Sequence, residues 1–194
     1  MEIKKAAYQW LVAAILVTAC SSIVWAGDHQ HQSHDAHVHG LAELTVALEG
    51  NQLELHLASP AANIVGFEHR AVTAEQSHAV QQAEALLNSA QQLFSFSGTR
   101  CDAQEIKVDM SALEKEDAHH HNHDGHHGDK HQTRHSEVSA EYRFACAQGA
   151  ELTSITVTLL ELFPGIETLS TMWVIEAGQG AIVLRRGSQD IYFR

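Results

Sequence analysis

Sulfur is scarce in this chain, whose 194 residues include only 3 cysteines and 3 methionines. Copper(I) sites favour thiolate and thioether ligands, so that ion is a poor fit. Positive charge is also scarce, with 12 lysines and arginines against 24 acidic residues and a net charge of −12 with histidine neutral. Such a chain repels phosphate backbones, which argues against nucleic acid as a partner. Familiar catalytic signatures are missing as well. There is no His-Glu-x-x-His, no Gly-x-Ser-x-Gly elbow, no P-loop and no dinucleotide fingerprint. What the chain does have is 16 histidines. Imidazole near neutral pH offers a nitrogen lone pair, so an acidic, imidazole-dense protein attracts divalent cations and supplies ligands to hold them.

The first 26 residues read as an export signal: Lys4 and Lys5, then an apolar stretch from Ala6, then Val24-Trp25-Ala26 ahead of Gly27. Two alternatives remain open. One is an N-terminal membrane anchor. The other is a lipoprotein, because Val17-Thr18-Ala19-Cys20 resembles a lipobox. Each reading places the body outside the cytoplasm, and the export signal gives a periplasmic expectation. Beyond Cys20 there are two cysteines, Cys101 and Cys146. An even number in an exported protein suggests one disulfide, the alternative being two buried free thiols. Closing the loop between them would stabilise the fold by about 4 kcal/mol in the chain-entropy model.

The body reads as strands with one clear helix. Leu44, Val46 and Leu48 alternate with polar residues, Gly50-Asn51 makes a turn, and Leu53, Leu55 and Leu57 alternate back. Ser59-Pro60 stops that second strand, and Ala61–Val72 reads as irregular. Thr73 with Gln76 forms a capping box, and Val80, Ala83, Leu87 and Ala90 carry a helix to about Gln92. Ile106, Val108 and Met110 mark one later strand, and Tyr142, Phe144 and Cys146 mark another. Pairing Cys101 with Cys146 makes these one long hairpin, with Met110 opposite Glu137. A further strand at 155–158, a helical turn at 160–163 and a last hairpin around 177–180 follow. The expected fold class is α+β: mostly antiparallel strands with one long helix and a disordered histidine-rich loop between two strands. The expected organisation is a signal at 1–26, a histidine-rich segment at 27–36, and a single metal-binding domain at 37–194 with a disordered insertion at 114–135.

Histidines cluster twice. The first cluster spans 28–40 and ends in His37-Val38-His39. In extended backbone residues i and i+2 point the same way, so His37 and His39 are expected to hold one ion from two corners. Zinc takes four ligands from His, Cys or carboxylate. His69 is the first candidate for a third ligand, because it lies in the irregular segment. Glu43 and His56, on the polar face of the first hairpin, come next. His56 also reads simply as a solvated residue, and His78 as a helix-surface one. The second cluster spans 119–135 and includes His119, His120, His121, His123, His126 and His127. It has glycines and aspartates but no apolar side chains to bury, so it reads as a loop binding several ions loosely. Zinc fits these ligands best, and nickel, cobalt and copper(II) also accept imidazole.

The segments HVHGLAELTVALEGNQLELHLASPAANIVGFEH (37–69) and EYRFACAQGAELTSITVTLLELFPGIETLSTMWVIEAGQG (141–180), with Cys101 and Cys146, resemble the ZrgA-type periplasmic zinc-binding proteins. SPAANIVGFEH and ELFPGIE carry the resemblance most specifically. It implies a protein that binds zinc in the periplasm and serves a zinc import system at the inner membrane. His37, His39 and His69 fall in family-like segments. The resemblance leaves the fourth ligand open. A zinc-dependent periplasmic hydrolase and a metal sequestration or resistance protein stand as alternatives.

Overall fold

The computed structural model describes residues 38–114 and 136–193. The expected leader, His37 and the cluster at 119–135 (His119, His120, His121, His123, His126 and His127 included) lie outside the described residues.

The alternating apolar residues form the first hairpin, β1 (Leu41–Glu49) and β2 (Gln52–Pro60), with Val46 opposite Leu55 and Thr45 opposite His56. One face buries Leu44, Val46, Leu53, Leu55 and Leu57, while Glu43, Thr45, Glu54 and His56 are exposed on the other. After Pro60 the chain turns directly into a short helix, α1 (Ala61–Val65), where sequence periodicity suggested irregular chain. Five residues are too few to display a helical period.

The longest helix, α2 (Ala74–Leu87), begins at the expected capping box. Thr73 Oγ1 accepts the Gln76 N–H at 3.2 Å, and Gln76 Oε1 accepts the Thr73 N–H at 3.2 Å. It ends five residues before the expected Gln92. The Asn88 and Ser89 side chains donate to the Glu84 and Ala85 carbonyls at 2.9 Å each, competing with the helical ladder. A separate turn, α3 (Ala90–Leu93), follows and leads into β3 (Phe94–Ser97).

The long hairpin is β4 (Cys101–Asp109) with β5 (Glu137–Cys146), and the Cys101–Cys146 disulfide joins register partners at its base. Its far end differs from the sequence reading. Ala103 pairs with Phe144 but Glu105 pairs with Arg143, so Gln104 is an extra, bulged residue. Asp109 therefore pairs with Ser139, and β4 ends before Met110 can face Glu137. The cause is parity. Cys101 must face the core to reach buried Cys146, yet Ile106 and Val108, of the opposite parity, must also pack on the core. One inserted residue satisfies both.

β6 (Ser154–Val157), α4 (Leu159–Leu162), β7 (Thr168–Ile175), β8 (Gly178–Leu184) and β9 (Asp190–Tyr192) complete the chain. The β7–β8 turn is the two residues Glu176 and Ala177, tighter than expected. The strands make two sheets, β4-β5-β2-β1-β7-β8 and β3-β6-β9. All pairings are antiparallel except β1 with β7, which is parallel. The α+β, strand-dominated class thus holds, with a crossover that periodicity does not encode.

The end of α2 and the small sheet lie over one face of the large sheet. Buried Tyr142 donates its hydroxyl to the Leu87 carbonyl at 2.9 Å. Phe94 meets Tyr142, and Phe96 meets Phe144, edge-on with ring centroids 5.0 and 4.9 Å apart. The opposite face carries charge on its β4-β5-β2 half, where Arg143 bridges Glu54 at 3.0 Å and Glu105 at 2.8 Å.

Candidate metal centre

The start of β1 is fixed by one buried side chain. Asn63, on α1 and 4 % exposed, accepts the Gly40 N–H at 2.7 Å through Oδ1. Its Nδ2 donates to the Leu41 carbonyl at 2.8 Å and to Ser59 Oγ at 3.2 Å. Val38–Leu41 is a turn closed by the Leu41 N–H on the Val38 carbonyl at 3.0 Å. Gly40 takes φ +84° at its third position, which a type II turn requires and a side chain would strain. His39 therefore sits in a turn that precedes the strand, and its pairing with His37 falls on a residue outside those described.

Within that turn His39 meets a carboxylate that spacing did not single out. Its Nε2 lies 2.8 Å from Glu68 Oε1. Glu68 follows the Gly66 cap of α1, so one short helix positions both partners, Asn63 from within and Glu68 from its end. A carboxylate accepting from Nε2–H fixes the proton there and leaves Nδ1 with the lone pair, the arrangement that orients and strengthens a metal-binding imidazole. Next in the chain, His69 stacks on Phe67 with ring centroids 5.1 Å apart, and its Nδ1 lies 2.8 Å from the Arg70 carbonyl. Because that acceptor fixes the proton on Nδ1, the open nitrogen of the neutral His69 ring is Nε2. His39 thus meets the half-buried Glu68 carboxylate, while His69, next in the chain, is held by Phe67 and the Arg70 carbonyl.

A second carboxylate, Glu167, lies against the turn. Its backbone N–H donates to the Gly40 carbonyl at 2.8 Å, and a Cβ on Gly40 would stand 3.2 Å from its carboxyl carbon. Glu68 and Glu167 both carried a signal, since each sits in a Gly-x-Glu run after a short helix (GFEH and GIET). Glu167 reaches Gly40 through the parallel β1–β7 pairing, whereas Glu68 reaches His39 from the end of α1.

The other candidates lie apart. Glu43 and His56 are exposed on the open sheet face, Glu43 opposite Ala58 and His56 between Thr45 and Glu141. Thr45 is four residues into β1, roughly 13 Å from its start at a strand rise of ~3.3 Å per residue. His78 is exposed on α2. Among the described residues no group of three or more His, Cys, Asp or Glu side chains is placed to hold one ion. The borders of the undescribed stretch 115–135 are at the candidate centre. Ala71 N–H donates to the Leu113 carbonyl at 2.9 Å, and Ser136 Oγ donates to the Glu68 carbonyl at 2.8 Å.

An imidazole–carboxylate pair on this turn, with a second imidazole on the adjoining segment, offers donor types that borderline divalent cations accept. A family model described as the ZrgA family zinc uptake protein matches residues 36–193, and the chain belongs to that family. No curated protein matches the chain.

Proposed function

We propose that this protein captures zinc in the periplasm and holds or buffers it for an import system at the inner membrane. In this reading an ordered site uses His39 through Nδ1 and His69 through Nε2, with His37 as a further ligand and Glu68 orienting His39. The histidines at 119–135, among them His119, His120, His121, His123, His126 and His127, add looser capacity. The observation that carries the reading is the His39–Glu68 contact at 2.8 Å on a turn locked by buried Asn63. Two further observations support it: the zinc-uptake family, and the anchoring of both borders of the histidine-rich stretch on Glu68–Ala71.

Deletion of 118–135 should lower the number of zinc ions bound and leave one of the tightest. His39→Ala in that background should weaken the remaining ion by about 10- to 100-fold or more, the scale seen when a ligand or its orienting partner is lost. Chelator competition measures both. Loss of tight binding on deletion alone would make the histidine-rich stretch the receptor and remove the ordered site.

A further inference from the structure

The two edges of the large sheet are unlike. β4 carries Asp102, Glu105, Lys107 and Asp109 and the bulge at Gln104, the usual devices that keep an edge from pairing with another chain. β8 reads GQGAIVL, with no charge, no proline and no bulge. Among the described residues it has a neighbour, β7, on one side only. On the open face, Met172 and Val174 of β7 and Val183 of β8 itself are exposed by 57, 49 and 45 %.

The backbone of β8 also has a defined outward pattern. The two-residue turn makes Ile175 and Gly178 the closing hydrogen-bonded pair, so Gly178, Gly180, Ile182 and Leu184 bond to β7. Gln179, Ala181 and Val183 then direct their N–H and C=O groups away from the sheet. An antiparallel pair about a two-fold axis must place one residue opposite itself, and Ala181 is the centre of this outward set. With Ala181 against Ala181, Gln179 of each copy meets Val183 of the other, and each such pair exchanges both N–H···O bonds. On the core-facing side Gly180 meets Ile182 of the second copy. The Trp173 indole covers Gly180 so closely that a Cβ there would stand 2.5 Å from the ring, so the position admits only glycine. The ends agree in charge as well, because exposed Glu176 at one end of β8 is brought to exposed Arg185 and Arg186 at the other end of the second copy. No like charges face one another in this register.

We propose that β8 is the homodimer edge of this protein, pairing antiparallel with β8 of a second copy about Ala181 and joining two six-stranded sheets into one. The self-complementary register, with an acidic turn at one end and a basic one at the other, selects a second copy over an unrelated strand.

The test is sedimentation velocity on the full mature chain with a chelator present, so that zinc bridged between histidines cannot associate copies. An interface of one strand pair and its apolar border lies at the weak end of specific complexes, so a dilution series reaching ~100 µM is needed. The expected result is a monomer–dimer equilibrium. Its dissociation constant should rise at least about 100-fold in Val183→Lys and in Ala181→Pro, whose missing N–H points outward and costs no β7 bond. Val183 is exposed, so the lysine variant keeps its fold even if the proline variant does not. Ala181→Cys should form a covalent dimer on a non-reducing gel, since its Cα atoms would lie about 5.5 Å apart, whereas Gln179→Cys should not. A monomer at every concentration, a dimer unaffected by Val183→Lys, or cross-linking through Gln179→Cys instead would each overturn the proposal.

Discussion

Replacing Asn63 with alanine tests the link between fold and metal centre. The side chain makes bonds of 2.7 and 2.8 Å to the Gly40 N–H and the Leu41 carbonyl, and a longer one to Ser59. Each ordinary hydrogen bond contributes about 1 kcal/mol net, and a buried partner left unpaired costs about 1–3 kcal/mol. Gly40 is only half-buried, so water can refill part of the gap. The Asn63→Ala cost is therefore ~2–4 kcal/mol. In a domain of this size each kcal/mol shifts Tm by roughly 2–4 °C, giving a fall of about 5–15 °C in the metal-free protein. Zinc affinity should also drop by about 10- to 100-fold, because His39 loses the turn that aims it at Glu68. Asn63→Asp separates the contributions: it keeps an acceptor for Gly40 but cannot donate to Leu41. Thermal unfolding with chelator and zinc competition are the two assays. An unchanged Tm would refute the bonding account. A lowered Tm with unchanged zinc affinity would remove His39 from the tight site.

Three other outcomes are expected. Reducing the Cys101–Cys146 bond, or replacing both cysteines with alanine, should lower stability by about 4 kcal/mol, read by urea unfolding with and without reductant; no change would mean the base of the hairpin is already held by β2. Tyr142→Phe should cost ~1–2 kcal/mol, because the Leu87 carbonyl loses its buried donor, and a neutral result would show that water reaches that carbonyl. Zinc affinity should fall steeply between about pH 7.5 and about pH 5.5, since imidazole, with a reference pKa of about 6.5, must lose its proton to bind; a drop of less than about threefold would point to carboxylate ligands.

Much of the fold is legible one residue at a time. The β1–β2 alternation, the Thr73–Gln76 capping box and the Cys101–Cys146 pairing depend on neighbours in sequence or on a parity that sequence preserves. The parity conflict between Cys101 and Ile106 that forces the bulge at Gln104 was present in the sequence too, but the regular hairpin with Met110 opposite Glu137 passed over it. β3 and β9 were not legible, since four and three residues are too few for a period to show. Composition and histidine spacing likewise pointed to a divalent cation, because ligand chemistry belongs to side chains and needs no fold.

The geometry of the centre belongs to tertiary structure. Glu68 and His39 are 29 residues apart, and Asn63, a bland position in the sequence, decides their contact because it is buried with three polar partners. The parallel pairing of β1 with β7 brings Glu167 to Gly40, and a parallel neighbour can come from any distance along the chain. Local pattern determined which face of each strand is buried. Only the crossing of distant segments decided which histidine meets a carboxylate, since that contact is set by packing between elements whose separation in sequence carries no period.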